Sequence, residues 1–150
     1  MVNWKRWIKE IGPKILSDAG VCKGQHVLDF GAREGDYSLP AAVLVGPQGQ
    51  VIALDKDESD LHGCKNRAKK FHLANLKTIS TDGGLNIPTD DSSVDAVLVF
   101  DILHYFNEDE RKSLYAEISR VLTDEGLFIT FPQHNKHSYP MWNLADLSVE

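Results

Sequence analysis

The sequence predicts an α/β fold built on a mainly parallel sheet. Three observations carry this. Short apolar runs rich in β-branched residues alternate with stretches of helical periodicity along the whole chain. One of those runs, Val94 to Phe100, is apolar at nearly every position, as a central strand covered on both faces requires. A glycine turn, Gly31 to Gly35, follows the first run directly and precedes a helical stretch. With 150 residues, 42% of them hydrophobic and 25% charged, the chain suits one domain, 1–150, with a single core.

The elements follow in order. Trp4 to Ile11 reads as a helix that Gly12-Pro13 interrupts. Pro13 then opens a second short helix to Ala19, which Gly20 ends. Val27 to Phe30 is the first strand. A helix from about Tyr37 to Val45 holds Pro40 in its first turn, where the missing N–H costs little. Gln50 to Leu54 is the second strand, ending at Asp55. From about Glu58 to His72, the apolar positions Leu61, Cys64, Ala68 and Phe71 share one helical face. Leu76 to Ser80 is a third strand, and Thr81 to Ser93 reads as loop. Val94 to Phe100 is the fourth strand. Asn107 and Glu110 form a capping box ahead of a helix carrying Leu114, Ile118, Val121 and Leu122. Thr123 to Gly126 is a turn, and Leu127 to Phe131 the fifth strand. The tail could start another helix near Asn143.

Charge excludes some partners. Sixteen Lys and Arg against 22 Asp and Glu give a net charge of −6, so no electrostatic footprint for nucleic acid is expected. Lys65, Arg67, Lys69 and Lys70 read as a solvated helix face. No apolar run approaches the roughly 18 residues that span a bilayer, and the N-terminus lacks the apolar core of a signal peptide. Cys22 and Cys64 show no metal spacing, and Cys64 reads as a small core residue. A cytoplasmic location is expected.

The chemistry concentrates at the strand ends. Asp29-Phe30-Gly31-Ala32-Arg33-Glu34-Gly35 turns the chain from strand to helix, and glycine there allows close backbone approach to a ligand. Asp55 ends the second strand 20 residues after Gly35, where a carboxylate can accept from both ribose hydroxyls of a nucleoside. His104, after the fourth strand, is the candidate base, with a polar loop or buried histidine as the plainer role. His134 and His137 have no evident third ligand, so no metal site is expected. Trp4, Trp7 and Ile11 form a stripe that either covers the site or packs on the domain.

These stretches resemble the class I S-adenosylmethionine (SAM) dependent methyltransferases. Val27 to Gly35 is similar to their V-L-D-x-G-x-G-x-G motif and Val51 to Asp55 to their second-strand segment. Asp82-Gly83, Ile87-Pro88 and Asp95-Ala96-Val97 resemble D-x…L-P…F-D-x-V. Leu103-His104-Tyr105 and Arg120 to Gly126 resemble the later "LHH" and "RVLKPGG" stretches. The likeness covers about residues 13 to 131. It implies a Rossmann-like three-layer α/β/α sandwich whose usual C-terminal antiparallel strands are missing here. It implies SAM as cofactor, with S-adenosylhomocysteine as product. The implied cofactor-binding residues are Asp29, Gly31, Arg33, Gly35, Asp55, Lys56, Asp82, Gly83 and Phe100. Asp29 would orient the loop and the methionine ammonium; Asp82 would accept from the adenine amino group, unless it only forms an Asx turn. The implied activity is methyl transfer to a small-molecule or protein acceptor.

Two departures stand out. Arg33 replaces the middle glycine, and its side chain could crowd the cofactor, point outward or clamp a carboxylate. The chain also runs only 19 residues past Phe131. Both leave room for an alternative: a non-catalytic binding or regulatory subunit of the same fold. An NAD-dependent oxidoreductase fits less well, because Gly31 to Asp36 does not supply G-x-G-x-x-G. The apolar fifth strand and the residues Tyr139, Met141, Trp142, Leu144 and Leu147 predict a homodimer or a partner covering Leu127 to Leu147.

Overall fold

The computed structural model describes residues 3–131. Strands β1 (His26–Phe30), β2 (Gln50–Asp55), β3 (Leu76–Ser80), β4 (Val94–Phe100) and β5 (Leu122–Phe131) form one sheet in the order β3-β2-β1-β4-β5. Every pairing in it is parallel, which makes the arrangement Rossmann-like. Chain direction along the sheet reverses at β1, so the loops after β1 and β4 diverge and open a cleft between them.

Helices cover both faces. One layer holds α1 (Trp4–Arg6), a π-helical turn (Trp7–Ile11), α2 (Gly12–Asp18), α3 (Ser38–Val45) and α4 (Glu58–Lys70). Their apolar side chains, among them Ile8, Leu16, Leu39, Ala42 and Cys64, pack on Val27, Val51, Ala53, Ala96 and Leu98. The other layer is α5 (Glu108–Val121), with Leu114, Ile118 and Val121 against Leu28, Leu54, Val97 and Val99. Alternate residues of β4 thus serve opposite layers, which is why that run is apolar at every position but Asp95.

Local chemistry sets the helix ends. The side chain of Asp57 caps α4 by accepting from the N–H groups of Ser59 and Asp60. Asn107 and Glu110 complete the expected capping box on α5. The loop between β3 and β4 hangs on α5 through Arg120. Its guanidinium donates to the carbonyls of Ile87 and Thr89 and pairs with Asp91 and Glu117.

Two expectations need correction. Gly12-Pro13 does not break the first helix. The N–H of Gly12 bonds to the carbonyl of Trp7, five residues back, and the wider turn carries the chain past the proline. The second concerns Thr123 to Gly126. Leu122 leaves α5 already extended and pairs with Val94, while Leu127 pairs with Ala96. The four residues between form a bulge inside a longer strand rather than a turn before it. β5 ends at Phe131, the last described residue. The helix expected near Asn143, the pair His134 and His137, and the apolar tail lie outside the described residues. No described helix is long and apolar enough to cross a membrane.

Close approach of α2 to α3 depends on Gly12, because a Cβ there would stand 2.6 Å from Pro40 Cβ. Gly12→Ala is therefore expected to destabilise the protein by about 1–3 kcal/mol in thermal unfolding, although alanine is the better helix former.

Candidate functional site

The cleft has a volume of about 920 Å³, within the range of small-molecule sites. Its floor is the carboxyl ends of β1, β2 and β4: Asp29, Phe30, Leu54, Asp55 and Phe100. The loops after those strands supply Gly31, Ala32, Arg33, Asp36, Lys56 and Asp101, and the loop after β3 supplies Gly83. Trp4 and Trp7 of the N-terminal segment close one side, and Ile102, Tyr105, Phe106 and Phe131 the other.

The glycine loop is held by its own backbone bonds. Gly31 and Ala32 both donate to the carbonyl of Leu54, at 2.8 and 3.0 Å. Gly31 has φ +79°, a conformation that disfavours side chains, and a Cβ there would meet Ile102 at 2.8 Å. Arg33 also lies in the left-handed region, at φ +48°. Its N–H donates to Asp55 Oδ2 at 2.8 Å, which helps to hold that conformation. The Arg33 side chain is 81% exposed and reaches outward toward Asp60, with Nε 3.7 Å from Oδ2.

Asp55 joins two loops. Besides Arg33, it accepts at Oδ1 from the N–H of Asp57, 3.0 Å away. Each carboxylate oxygen keeps a further lone pair for a ligand donor. Lys56 and Gly83 meet across the neighbouring wall, where a Cβ on Gly83 would lie 3.2 Å from Lys56 Cδ. Phe100 stacks on Tyr37 at 4.2 Å between ring centres, and Tyr37 meets Trp7 edge-on at 5.7 Å.

Asp29 is buried. Ser38 Oγ donates to its Oδ2 at 2.5 Å, and burial raises its carboxyl to about 7. The bond from Ser38 works in the opposite direction but is the smaller effect, and Asp55 and Asp36 add further upward pressure.

Three expected site residues do not line the cleft. Gly35, at φ +83°, packs away from it: a Cβ there would strike Leu39 Cδ1 at 2.5 Å and Cys64 Sγ at 2.6 Å. Its lack of a side chain serves the packing of α3 and α4, so substitution is a folding defect before it is a binding defect. Asp82 turns back to accept from the N–H of Gly84 at 2.8 Å, the Asx turn. His104 sits in the 3-10 turn Leu103–Tyr105, which buries its ring to 3% exposure beside Asp101 and against Tyr105. Cys64 is a core residue, and burial pushes its thiol up to about 12. Among the described residues, no cluster of three or more His, Cys, Asp or Glu could hold a metal ion.

Other residues reach the cleft without a local sequence signal. Asp36, Tyr37 and Ile102 line it, and Arg67 supports it from behind. Arg67 had the spacing of a solvated face, yet its side chain is only 20% exposed. The fold brings Glu34 and Asp36 to it, which no helical periodicity can show.

This fold and cleft define the class I SAM-dependent methyltransferase architecture. The chain belongs to the methyltransferase-domain family, whose profile matches residues 27–126. Among similar proteins is a probable cobalt-precorrin-6B C(15)-methyltransferase (decarboxylating) of Sulfurisphaera tokodaii. It is 31% identical over 91 residues, which are 61% of this chain and 47% of that protein. A demethylmenaquinone methyltransferase of Symbiobacterium thermophilum is 28% identical over 127 residues, 85% of this chain and 48% of that protein. The chain thus spans about half the length of these relatives. The crystal structure of a SAM-dependent methyltransferase from Aquifex aeolicus superposes with a TM-score of 0.73 at 25% identity, covering 84% of this chain and 65% of that one.

The charge state of Asp29 gives a test. Its folded pKa lies above its unfolded value of about 3.8, so the folded state holds a proton that the unfolded state releases, and stability falls as pH rises from about 4 to 7. Asp29→Asn keeps an acceptor for Ser38 and removes the buried charge. Relative to the native protein, it is expected to gain roughly 2–4 kcal/mol in denaturant unfolding at pH 8 and nothing at pH 4.

Proposed function

We propose that this chain binds SAM in the cleft and transfers its methyl group to a small-molecule acceptor. The observation that carries the reading is Asp55. Its carboxylate lies at the end of β2, in the cleft wall, beside a glycine loop whose backbone it orders. That is the place and chemistry for gripping both hydroxyls of a ribose.

The remaining residues take roles from their positions. Gly31 lets the ligand approach the backbone at the end of β1. Asp29, in its ionised form, is placed to attract the methionine ammonium, and burial strengthens that attraction. Lys56 and Gly83 flank the ribose and adenine side, and Phe100 offers an apolar face. Arg33 contributes its backbone rather than its side chain. SAM supplies a methyl group that its sulfonium makes electrophilic. The chain itself has to hold the two reactants at attack distance and keep water out. Trp4, Trp7, Ile102 and Phe106 line an apolar compartment suited to both tasks. The proposal does not rest on a protein base.

The small-molecule acceptor draws support from the relatives, whose names refer to a cobalt-precorrin and a demethylmenaquinone. The free thiols, one exposed and one buried, suit a reducing cytoplasm. The alternative of a non-catalytic binding subunit drew on Arg33 and on the short chain; the exposure of the Arg33 side chain and its pairing with Asp60 weaken the first of these grounds. Isothermal titration with S-adenosylhomocysteine tests the site: Asp55→Ala is expected to lose about 1–3 kcal/mol of binding, and unchanged affinity would overturn the assignment.

A homodimer through β5 is part of the proposal. Among the described residues, β5 pairs with β4 alone, and Leu127, Phe128 and Phe131 are exposed. Light scattering of the full chain at micromolar concentration is expected to give twice the chain mass; the mass of one chain refutes the dimer.

A further inference from the structure

We infer that Arg67 is a positioning residue that fastens the first N-terminal turn over the cofactor cleft and so governs how long the cofactor stays bound. The inference rests on the proposed cofactor site and goes beyond it. It assigns a role to a residue that lies outside the cleft.

Three contacts converge on one guanidinium. Nη1 of Arg67 donates to the carbonyl of Glu34 at 2.9 Å and to Asp36 Oδ1 at 2.7 Å. Its Cζ lies 4.5 Å from the centre of the Trp4 ring. The first two contacts hold the loop that follows Gly31; the third holds α1. Such a cation–π contact contributes most where water is excluded, and the Arg67 side chain is largely buried. Trp7 adds a parallel tie, its Nε1 donating to the carbonyl of Asp36 at 2.7 Å.

The anchoring along the N-terminal segment is uneven. Ile8 is fully buried among Ala32, Leu39, Ala53 and Cys64, which fixes the π-helical turn. The α1 turn before it has no buried residue. Trp4 is 45% exposed, stacks against Arg67 and lines the cleft. Ligand entry requires only that this first turn swing about the Ile8 anchor.

Arg67 also stands on the right helix. The same α4 is capped by Asp57, whose N–H bonds to Asp55. One helix therefore joins the carboxylate proposed to hold the ribose to the cation that fastens the cover. A ligand that stiffens the Asp55 end and a cover that rests on Arg67 share a single rigid support.

The test uses the full chain and two readouts. Hydrogen exchange of the ligand-free protein reports the cover, and stopped-flow tryptophan fluorescence with S-adenosylhomocysteine reports ligand release. Arg67→Met keeps the packed stem and removes the charge. It is expected to speed exchange in residues 3–11 while β1 and β4 stay protected, and to raise the release rate about tenfold. Arg67→Lys, which retains the charge, should fall between the two. Trp4→Leu leaves the Arg67–Asp36 pair in place and should speed exchange in residues 3–11 to the same degree; because Trp4 itself lines the cleft, its exchange and not its release rate judges the latch if Arg67→Met does not fold. Unchanged exchange in residues 3–11 overturns the latch. Faster exchange with unchanged release overturns its control of the cofactor. Failure of the native chain to bind S-adenosylhomocysteine overturns the cofactor site instead, and the exchange data then judge the latch alone.

Discussion

A carboxylate that accepts backbone hydrogen bonds from two different loops fixes the distance between them, and Asp55 does this at the mouth of the sheet. One oxygen holds the N–H of Arg33, in the loop after β1; the other holds the N–H of Asp57, which caps α4. The parallel pairing of β1 with β2 brings the two loops to the same edge, since Phe30 stands in register with Leu54. Without this bridge, Arg33 would have to keep a left-handed conformation with less to hold it, at a cost of about 1–2 kcal/mol. The charged acceptor offsets that cost and shapes the cleft.

The helical layer is built on close approach. Gly12 admits Pro40, and Gly35 admits Leu39 and Cys64, so α2, α3 and α4 lie tightly against one another and the sheet. Asp29 lies buried at the end of β1, bonded to Ser38 at the start of α3, and burial raises its carboxyl to about 7. Packing and charge are thus coupled at the base of the site: the contacts that stabilise the layer also desolvate the carboxylate beneath the glycine loop. A ligand ammonium would favour the ionised form, and binding would then release a proton near neutral pH.

Much of the fold was legible because it follows local rules. The nearly continuous apolar run of β4, the capping box at Asn107, Pro40 in a first helical turn and Asp55 at a strand end each carry a signal within a few residues. The failures share a cause. Gly12-Pro13 reads as a break, but a π-helical turn and the contact with Pro40 keep the helix running. Gly35 reads as a ligand glycine, but its neighbours are core side chains from α3 and α4. His104 has the right position for a base, and its 3-10 turn buries the ring.

By itself, the sequence determined the α/β class, the membership of the family and the order of elements along the chain. These depend on periodicity, turn chemistry and the spacing of a few residues at strand ends, all of which are local. Only the tertiary structure decided which side chains face the cleft. Arg33 turns outward, Asp82 turns back on its own loop, and Arg67 leaves an apparently solvated face to hold Glu34, Asp36 and Trp4. The Arg33 and Arg67 contacts join residues about 30 or more apart in the chain, and the Asp82 turn, although local, was one of two readings between which only the folded loop decides; helical or strand periodicity carries neither.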